Sequence, residues 1–528
     1  MKADVIFDTE WDVIIIGAGM GGGSAAYQLT QHQKNILLIE KGHSSFKKFN
    51  GVEVEEKEAE VRLDSGHWPT QLTATVNGAK SDFWAPLGCG VGGSSLLYAA
   101  ALQRLLKADF DEQTLPSGGT VQWPFNYEEL ASYYQLAETQ FSVCGTIDPL
   151  EPTPNYTLTP PPAMSLVDQH FFQQFKAAGF NPYRLHVAIK YRPLCGECGG
   201  HICPKSCKQD SNNACIEPAK ASGYLTVLGD TEVIRIDADK TSVTSIQVKY
   251  LGKEKTLRAK QYILAAGAYF TPIILKRSTS VEWPNGLANG SGLVGKNLMF
   301  HASDFIAFWP KEKYSRKGYR KTIAFRDLYN VTSPKWGELQ STGVVADYGL
   351  ILYGLRLEFD QSIFKKIPFI RYFLTIPAFI ASKLFGHATV FTTIIEDFPY
   401  TENQVVIDES APSGMRIEYT IHKEFNQRVS AMGKSVRKRL SNLRSYSLSP
   451  SLNLNYGHPC GTCKAGDDPA SSVVDKFCKA HEVDNLYIAD SSFMPTSGGT
   501  NPSLTVAANA FRVADHVAEK LNNLLPEL

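Results

Sequence analysis

Two short apolar strands bracketing a glycine triplet constrain this chain more than any other feature. Residues 11–40 read WDVIIIGAGMGGGSAAYQLTQHQKNILLIE. Val13 to Ile16 are four consecutive β-branched residues, the pattern of a strand covered on both faces. Gly17, Gly19 and Gly22 follow as G-x-G-x-x-G. Small and apolar residues from 23 to 29 suit a helix, and Ile36 to Ile39 make a second buried strand that ends at Glu40. In a βαβ unit of this size the glycines permit a tight turn, close approach of backbone to a pyrophosphate and close helix–strand packing. The helix N-terminus offers unpaired N–H groups and partial positive charge to the phosphates. Glu40, 23 residues past Gly17, is placed to accept a hydrogen bond from a ribose hydroxyl.

The rest of the composition narrows the class. A chain of 528 residues forms more than one core. Lys+Arg and Asp+Glu are both 53, which argues against a nucleic-acid partner. Ten residues precede Trp11, a stretch with three acidic residues that is too short for a signal peptide, so the expected location is cytoplasmic. Ten cysteines in this length make no disulfide scaffold. Five of them fall between Cys195 and Cys215, spaced C-x2-C-x4-C-x3-C-x7-C. Thiolates this close can ligate an iron–sulfur cluster, with Cys195, Cys198, Cys203 and Cys207 as the candidate ligands. Zinc, a disulfide or plain structural thiols fit the same spacing.

A second glycine segment, Trp84 to Asp111, holds Gly88, Gly90, Gly92 and Gly93 followed by Ser94 and Ser95. Such a run lets backbone lie flat against a large ligand, with N–H groups for phosphate or flavin oxygens. Residues 124–144 read as a turn and an amphipathic helix, and 146–164 as a proline-rich connector. Strand-like runs at 343–358 and 388–396 predict an antiparallel sheet. Between them, 367–385 (IPFIRYFLTIPAFIASKLF) is apolar and aromatic but broken by Arg371 and Pro377. It is too short to span a bilayer. With Lys365, Lys366, Arg371 and Lys383 around it, it suits a monotopic surface contact or a lid over an apolar substrate; a buried helical hairpin is the alternative. Lys434 to Arg444 is a basic run on a helical pattern. Leu486 to Ala489 reads as a buried strand ending at Asp490, and Leu504, Ala507, Phe511, Ala514, Val517 and Leu521 mark one helical face after Pro502.

These motifs together resemble the glucose–methanol–choline (GMC) oxidoreductases, closest in type to bacterial GMC dehydrogenases and cholesterol-oxidase-like members. The likeness rests on the first glycine motif, Gly92 to Ser95 running into Asp109–Phe110–Asp111, the YILAAGAYFTP segment with Gly267, Ala268, Thr271 and Pro272, and SGLVGKNLMFH ending at His301. It extends through HPCGT from His458 and the region from Val483 to Val517. The resemblance implies FAD, with Val233 near the adenine and Asp490, Asn501 and Pro502 near the flavin. Members that attach FAD covalently use a histidine just after the glycine–serine segment; Leu96, Leu97 and Tyr98 stand there, which implies non-covalent FAD. A subset of dehydrogenases of this kind holds a cluster in a cysteine-rich loop. His458 falls on the family's catalytic histidine and Asn501 on its second residue, while His301 reads as structural. The C-terminal helix would begin at the flavin and stabilise negative charge on its pyrimidine end.

The expected fold is α/β. A Rossmann-type FAD domain (1–145, 191–300 and 453–528) accompanies a mainly antiparallel substrate domain (301–452), with 146–190 as connector and substrate-domain edge. The expected function is oxidation of an alcohol CH–OH to a carbonyl by hydride transfer to flavin N5. A non-oxygen acceptor, such as a quinone or an electron-transfer protein, is expected; an oxygen-using alcohol or sterol oxidase and a lyase with structural FAD are the alternatives.

Overall fold

The computed structural model describes residues 3–46, 58–151, 155–331, 334–344, 348–361, 367, 369–448 and 452–523. The first glycine motif lies where expected. The strand Glu10–Ile16 pairs in parallel with Ile36–Ile39 on one side and with the second half of Lys253–Leu264 on the other. Leu225–Leu228 extends the sheet beyond Ile36–Ile39, and Leu486–Ile488 joins it beside Lys253–Leu264. Neighbours thus lie to both sides of the first strand, and its carboxyl end opens into the crevice where such sheets bind ligands. Val13, Ile14 and Ile15 are wholly buried, as an unbroken β-branched run requires. The first half of Lys253–Leu264 turns outward as an antiparallel meander with Val243–Tyr250 and Thr231–Ala238.

The C-terminal helix Ser503–Asn523 buries the stripe read from its sequence. It packs on the helix Met20–Gln31, with the Tyr27 and Phe511 rings 6.3 Å apart and Gln28 donating to Asp515 at 2.7 Å. Tyr127–Gln140 is the helix predicted within 124–144; Asn126 and Glu129 cap it reciprocally. Of the proline-rich connector, residues 152–154 lie outside the described residues.

A second core lies under an eight-stranded sheet built around Thr389–Ile395, Gly337–Ser341 and Phe305–Trp309. The strand predicted at 388–396 is therefore present, and its pairings with these two neighbours are antiparallel. A four-stranded sheet joins Leu72–Val76 and Ala79–Phe83 to Gln404–Ile407 and Met415–Tyr419.

Two expectations are corrected here. Residues 348–361 form a helix, Tyr348–Gln361, instead of a strand; residues 345–347 lie outside the described residues. Its alternating apolar residues imitate a strand, but Leu352 and Phe359, seven apart, are both buried on one side of a helix. The helix predicted across 434–444 ends at Arg439, and Arg444–Ser447 is an edge strand paired with Phe305–Trp309. The apolar 367–385 stretch forms the helices Ile370–Phe373 and Thr375–Phe385. No helix among the described residues is long and apolar enough to cross a membrane.

Candidate active site

The two glycine segments meet at the carboxyl end of the first strand. Gly17 has φ +101°, and a Cβ there would lie 2.4 Å from the Ala265 carbonyl oxygen on the neighbouring strand. A Cβ on Gly22 would lie 1.9 Å from the Gly17 oxygen. Gly93, at φ +54°, would drive a Cβ to 2.6 Å from the Gly19 Cα, so the second segment closes directly on the first. A Cβ on Gly19 would meet nothing within 4 Å. Gly19 precedes the helix Met20–Gln31, whose first N–H groups receive no side-chain cap. Open space over uncapped helix N–H groups is the cradle a pyrophosphate needs, and these residues fit the dinucleotide part of FAD.

The polar residues around the cradle hold it together. Glu40 is buried and accepts from the backbone N–H groups of Ala18 (3.0 Å), Gly42 (2.9 Å) and Gly90 (3.1 Å). Burial raises its pKa, against the pull of these donors. It therefore ties three backbone segments together, and Oε2, which accepts only from Ala18 among the described residues, keeps one lone pair. Ser94 Oγ accepts from Gly88 N; Ser95 Oγ donates to Gly92 O at 2.6 Å and accepts from Ser211 N. Asp490 is engaged within the chain, with Oδ2 accepting from Gly267 N and Thr271 and Oδ1 from Ser492. Val233 lies half-buried on the strand Thr231–Ala238. Leu96 and Leu97 are buried, and the Tyr98 hydroxyl donates to Gln209 O.

His458 meets the loop that leads to Asn501 through a third residue, His301, which sequence reasoning assigned to structure. His301 is wholly buried. Its Nδ1 lies 3.1 Å from His458 Nδ1, and its Nε2 lies 2.9 Å from Gly498 O and 3.2 Å from Ser497 O. These partners decide the tautomers. Two carbonyls accept at His301 Nε2, so that nitrogen carries the proton and Nδ1 presents a lone pair. His458 Nδ1 must then donate to it, which leaves His458 Nε2 unprotonated. Nε2 makes no hydrogen bond among the described residues. Burial pushes His301 down to about 4 and His458 down to about 3, the latter helped by the adjacent His301. Both rings are therefore neutral near pH 7.

The loop that holds His301 continues to Asn501 and Pro502, which are buried at the start of the C-terminal helix. Asn501 Nδ2 donates to Gln340 Oε1 at 3.0 Å and approaches Glu338 Oε1 at 3.4 Å. Glu338 also accepts from Gln103 at 2.6 Å and from Arg326 at 3.2 Å. Burial pushes Glu338 up to about 7 while Arg326 opposes the shift. Gln103, Glu338 and Gln340 were not foreseen. They carry no motif, and only the alternation along Gly337–Ser341 could have hinted that Glu338 and Gln340 share a face.

The cysteine loop divides. The four thiols perturb one another: Cys203 raises the pKa of Cys198, and burial together with Cys195 and Cys203 raises that of Cys207. Cys203 is the acidic member, pulled down by the Cys198 thiol and by three backbone N–H groups. Cys215 lies apart, buried with its sulfur 3.9 Å from Ser24 Oγ. Among the described residues, no three of these sulfurs lie within 4.8 Å of one another, whereas a tetrahedral zinc site holds sulfurs about 3.8 Å apart. Zinc does not fit this arrangement. The loop abuts the segment after Ser95: Gly200 N donates to Leu97 O at 2.7 Å, and the buried Lys208 ammonium donates to the carbonyls of Leu96, Tyr98 and His201.

The N-terminal family model described as GMC oxidoreductase matches residues 11–303, and its C-terminal counterpart matches 399–510. The chain is 28% identical to paromamine 6'-oxidase of Streptomyces fradiae, over 97% of this chain and 92% of that protein. It is 25% identical to 2-methyl-1,2-propanediol dehydrogenase of Mycolicibacterium austroafricanum, over 98% and 96%. In fold it resembles the crystal structure of pyridoxine 4-oxidase from Mesorbium loti, with a TM-score of 0.65 at 20% identity, covering 96% of this chain and 99% of that one.

Proposed function

The chain belongs to the GMC oxidoreductase family, an enzyme family of FAD-dependent alcohol oxidation, and we propose that this protein uses His458 as the base and passes its electrons to an acceptor other than oxygen. The observation that carries the base assignment is the His301–His458 nitrogen pair, which leaves His458 Nε2 with a free lone pair. FAD, held without a covalent bond by the glycine cradle, supplies the hydride acceptor. The chain's own residues do the remainder. His458 Nε2 takes the hydroxyl proton, as a neutral imidazole can at neutral pH. Asn501, whose amide N–H groups face Gln340 at 3.0 Å and Glu338 at 3.4 Å, offers an N–H to the substrate oxygen by giving up the longer contact to Glu338, without competing for that proton. His301 is a positioning residue that holds the tautomer.

The named relatives include both oxidases and a dehydrogenase, so their names do not decide the acceptor. The reading of a dehydrogenase is supported by the four thiols of the loop whose Gly200 N–H meets Leu97 O. They form a donor set suited to an iron–sulfur cluster that would carry electrons outward. A lipophilic alcohol and a quinone would both be drawn from a lipid phase, so the reading includes peripheral contact with a membrane. The cofactor half comprises 1–145, 191–300 and 453–528, and the substrate half 301–452, with 146–190 between them.

His458→Ala should retain FAD and slow anaerobic flavin reduction by roughly 10²–10⁴-fold, the scale for a lost general base. Reduction at the wild-type rate would show the assignment to be wrong. Iron and acid-labile sulfide should accompany anaerobically purified protein; their absence removes the cluster and leaves the alcohol chemistry standing.

A further inference from the structure

Gly337–Ser341 and Thr389–Ile395 are neighbouring antiparallel strands, with Ser341 opposite Phe391. A turn of a few residues would join them. The chain instead runs through residues 342–388 and returns with the helices Tyr348–Gln361, Ile370–Phe373 and Thr375–Phe385. An excursion of this length between paired strands has no role in the sheet itself.

Its polarity is inverted relative to an ordinary surface helix. In Thr375–Phe385 the one buried residue is Ala378, while Ile376, Phe379, Ile380 and Leu384 are 53–57% exposed. These four fall at helical spacing and form one continuous face. Phe373 and Tyr372 extend it at 60% and 79% exposed. An exposed apolar face this continuous marks an interaction site. Charge identifies the partner. From 361 to 395 the sequence holds Lys365, Lys366, Arg371 and Lys383 and no Asp or Glu; of these, Lys365 and Lys366 lie outside the described residues. Lys383 stands over the Phe379 ring, 5.3 Å from its centroid, so basic charge borders the apolar face. The base of the excursion is anchored: Trp309 Nε1 donates to Leu384 O at 3.0 Å, and Phe385 packs on Trp309 and Tyr446.

We propose that this face docks on the surface of a bilayer rich in anionic lipid, with the apolar side chains at the headgroup–acyl boundary and the basic ones at the phosphates. The excursion leaves the sheet two residues beyond Gln340, which holds Asn501, so docking brings the substrate-side strands next to the lipid. The proposal deepens the reading of an enzyme acting on a lipophilic alcohol by naming the docking element and the lipid charge.

The test is flotation of the FAD-loaded full chain with phosphatidylglycerol–phosphatidylcholine vesicles and with phosphatidylcholine alone. Wild type should float with the anionic vesicles and release at high salt. I376S/F379S/I380S/L384S should keep its FAD, and its floated fraction should fall at least about tenfold. Wild type remaining at the bottom with both vesicles, or a variant that floats equally well, overturns the proposal. So does a wild-type dimer that the variant converts to monomer in light scattering, because a second copy would then cover the face. Protein that floats but is never reduced by any alcohol sinks the functional reading and leaves the docking intact.

Discussion

The strand Glu10–Ile16 and the helix Thr375–Phe385 are both rich in apolar side chains, yet Ile15 is wholly buried and Ile376 is 57% exposed. Ile15 lies between two parallel strands, paired with Leu38 and Ile263, and is covered from both faces. Ile376 belongs to an excursion anchored at its base by Trp309 and Tyr446, and the buried residue of its helix is Ala378. Apolar composition measures the tendency to leave water; the supply of neighbouring surface decides whether the chain itself satisfies that tendency. The same contrast separates the cofactor crevice, closed by backbone contacts at Gly17, Gly22 and Gly93, from the excursion that leaves the substrate-side sheet.

The sharpest way to break the contrast is Gly22→Ala. Its Cβ would lie 1.9 Å from a backbone oxygen that cannot move without displacing the first strand. The expected outcome is protein that fails to retain FAD and loses more than about 3 kcal/mol of stability, read by flavin absorbance and denaturant unfolding. Ile15→Ala should cost about 2–5 kcal/mol, the range for a wholly buried large-to-small change. Ile376→Ala should stay within about 0.5 kcal/mol. Equal melting shifts for these two isoleucines would mean that the excursion face is covered after all.

Catalytic predictions sharpen the contrast at the boundary between the two regions. His301→Leu should slow flavin reduction by about tenfold or more through loss of the tautomer lock, and by less than His458→Ala. The sign of its pH effect follows from the pair. His458 is lowered to about 3 by burial and by His301, so its base form is present above that value. Wild-type reduction should therefore show no His458 limb between pH 5 and 8. Removing His301 removes one cause of the lowering, so the acid limb of the variant should move to higher pH. Stopped-flow reduction across pH reads both effects; a variant slowed at every pH with an unmoved limb would give His301 a purely structural part.

Much of the cofactor side was legible in the linear chain. The Gly17–Gly22 spacing, Glu40, the strand Leu486–Ile488 and the helical stripe from Leu504 to Leu521 are local patterns whose period or spacing is itself the physical requirement. His458 and Asn501 were singled out as candidates through the motifs around them. Other features depended on contacts between distant residues. His301 looks like any buried histidine until the fold sets its Nδ1 against His458, 157 positions away. Glu338 and Gln340 have no motif and gain their place beside Asn501 because the second sheet reaches the C-terminal helix. Residues 343–358 read as a strand, yet 348–361 form a helix. For 367–385, the sequence specified what its side chains avoid, water, and what its charges favour, an anionic surface. Whether protein would cover that apolar face depended on neighbours that only the tertiary structure could supply or withhold.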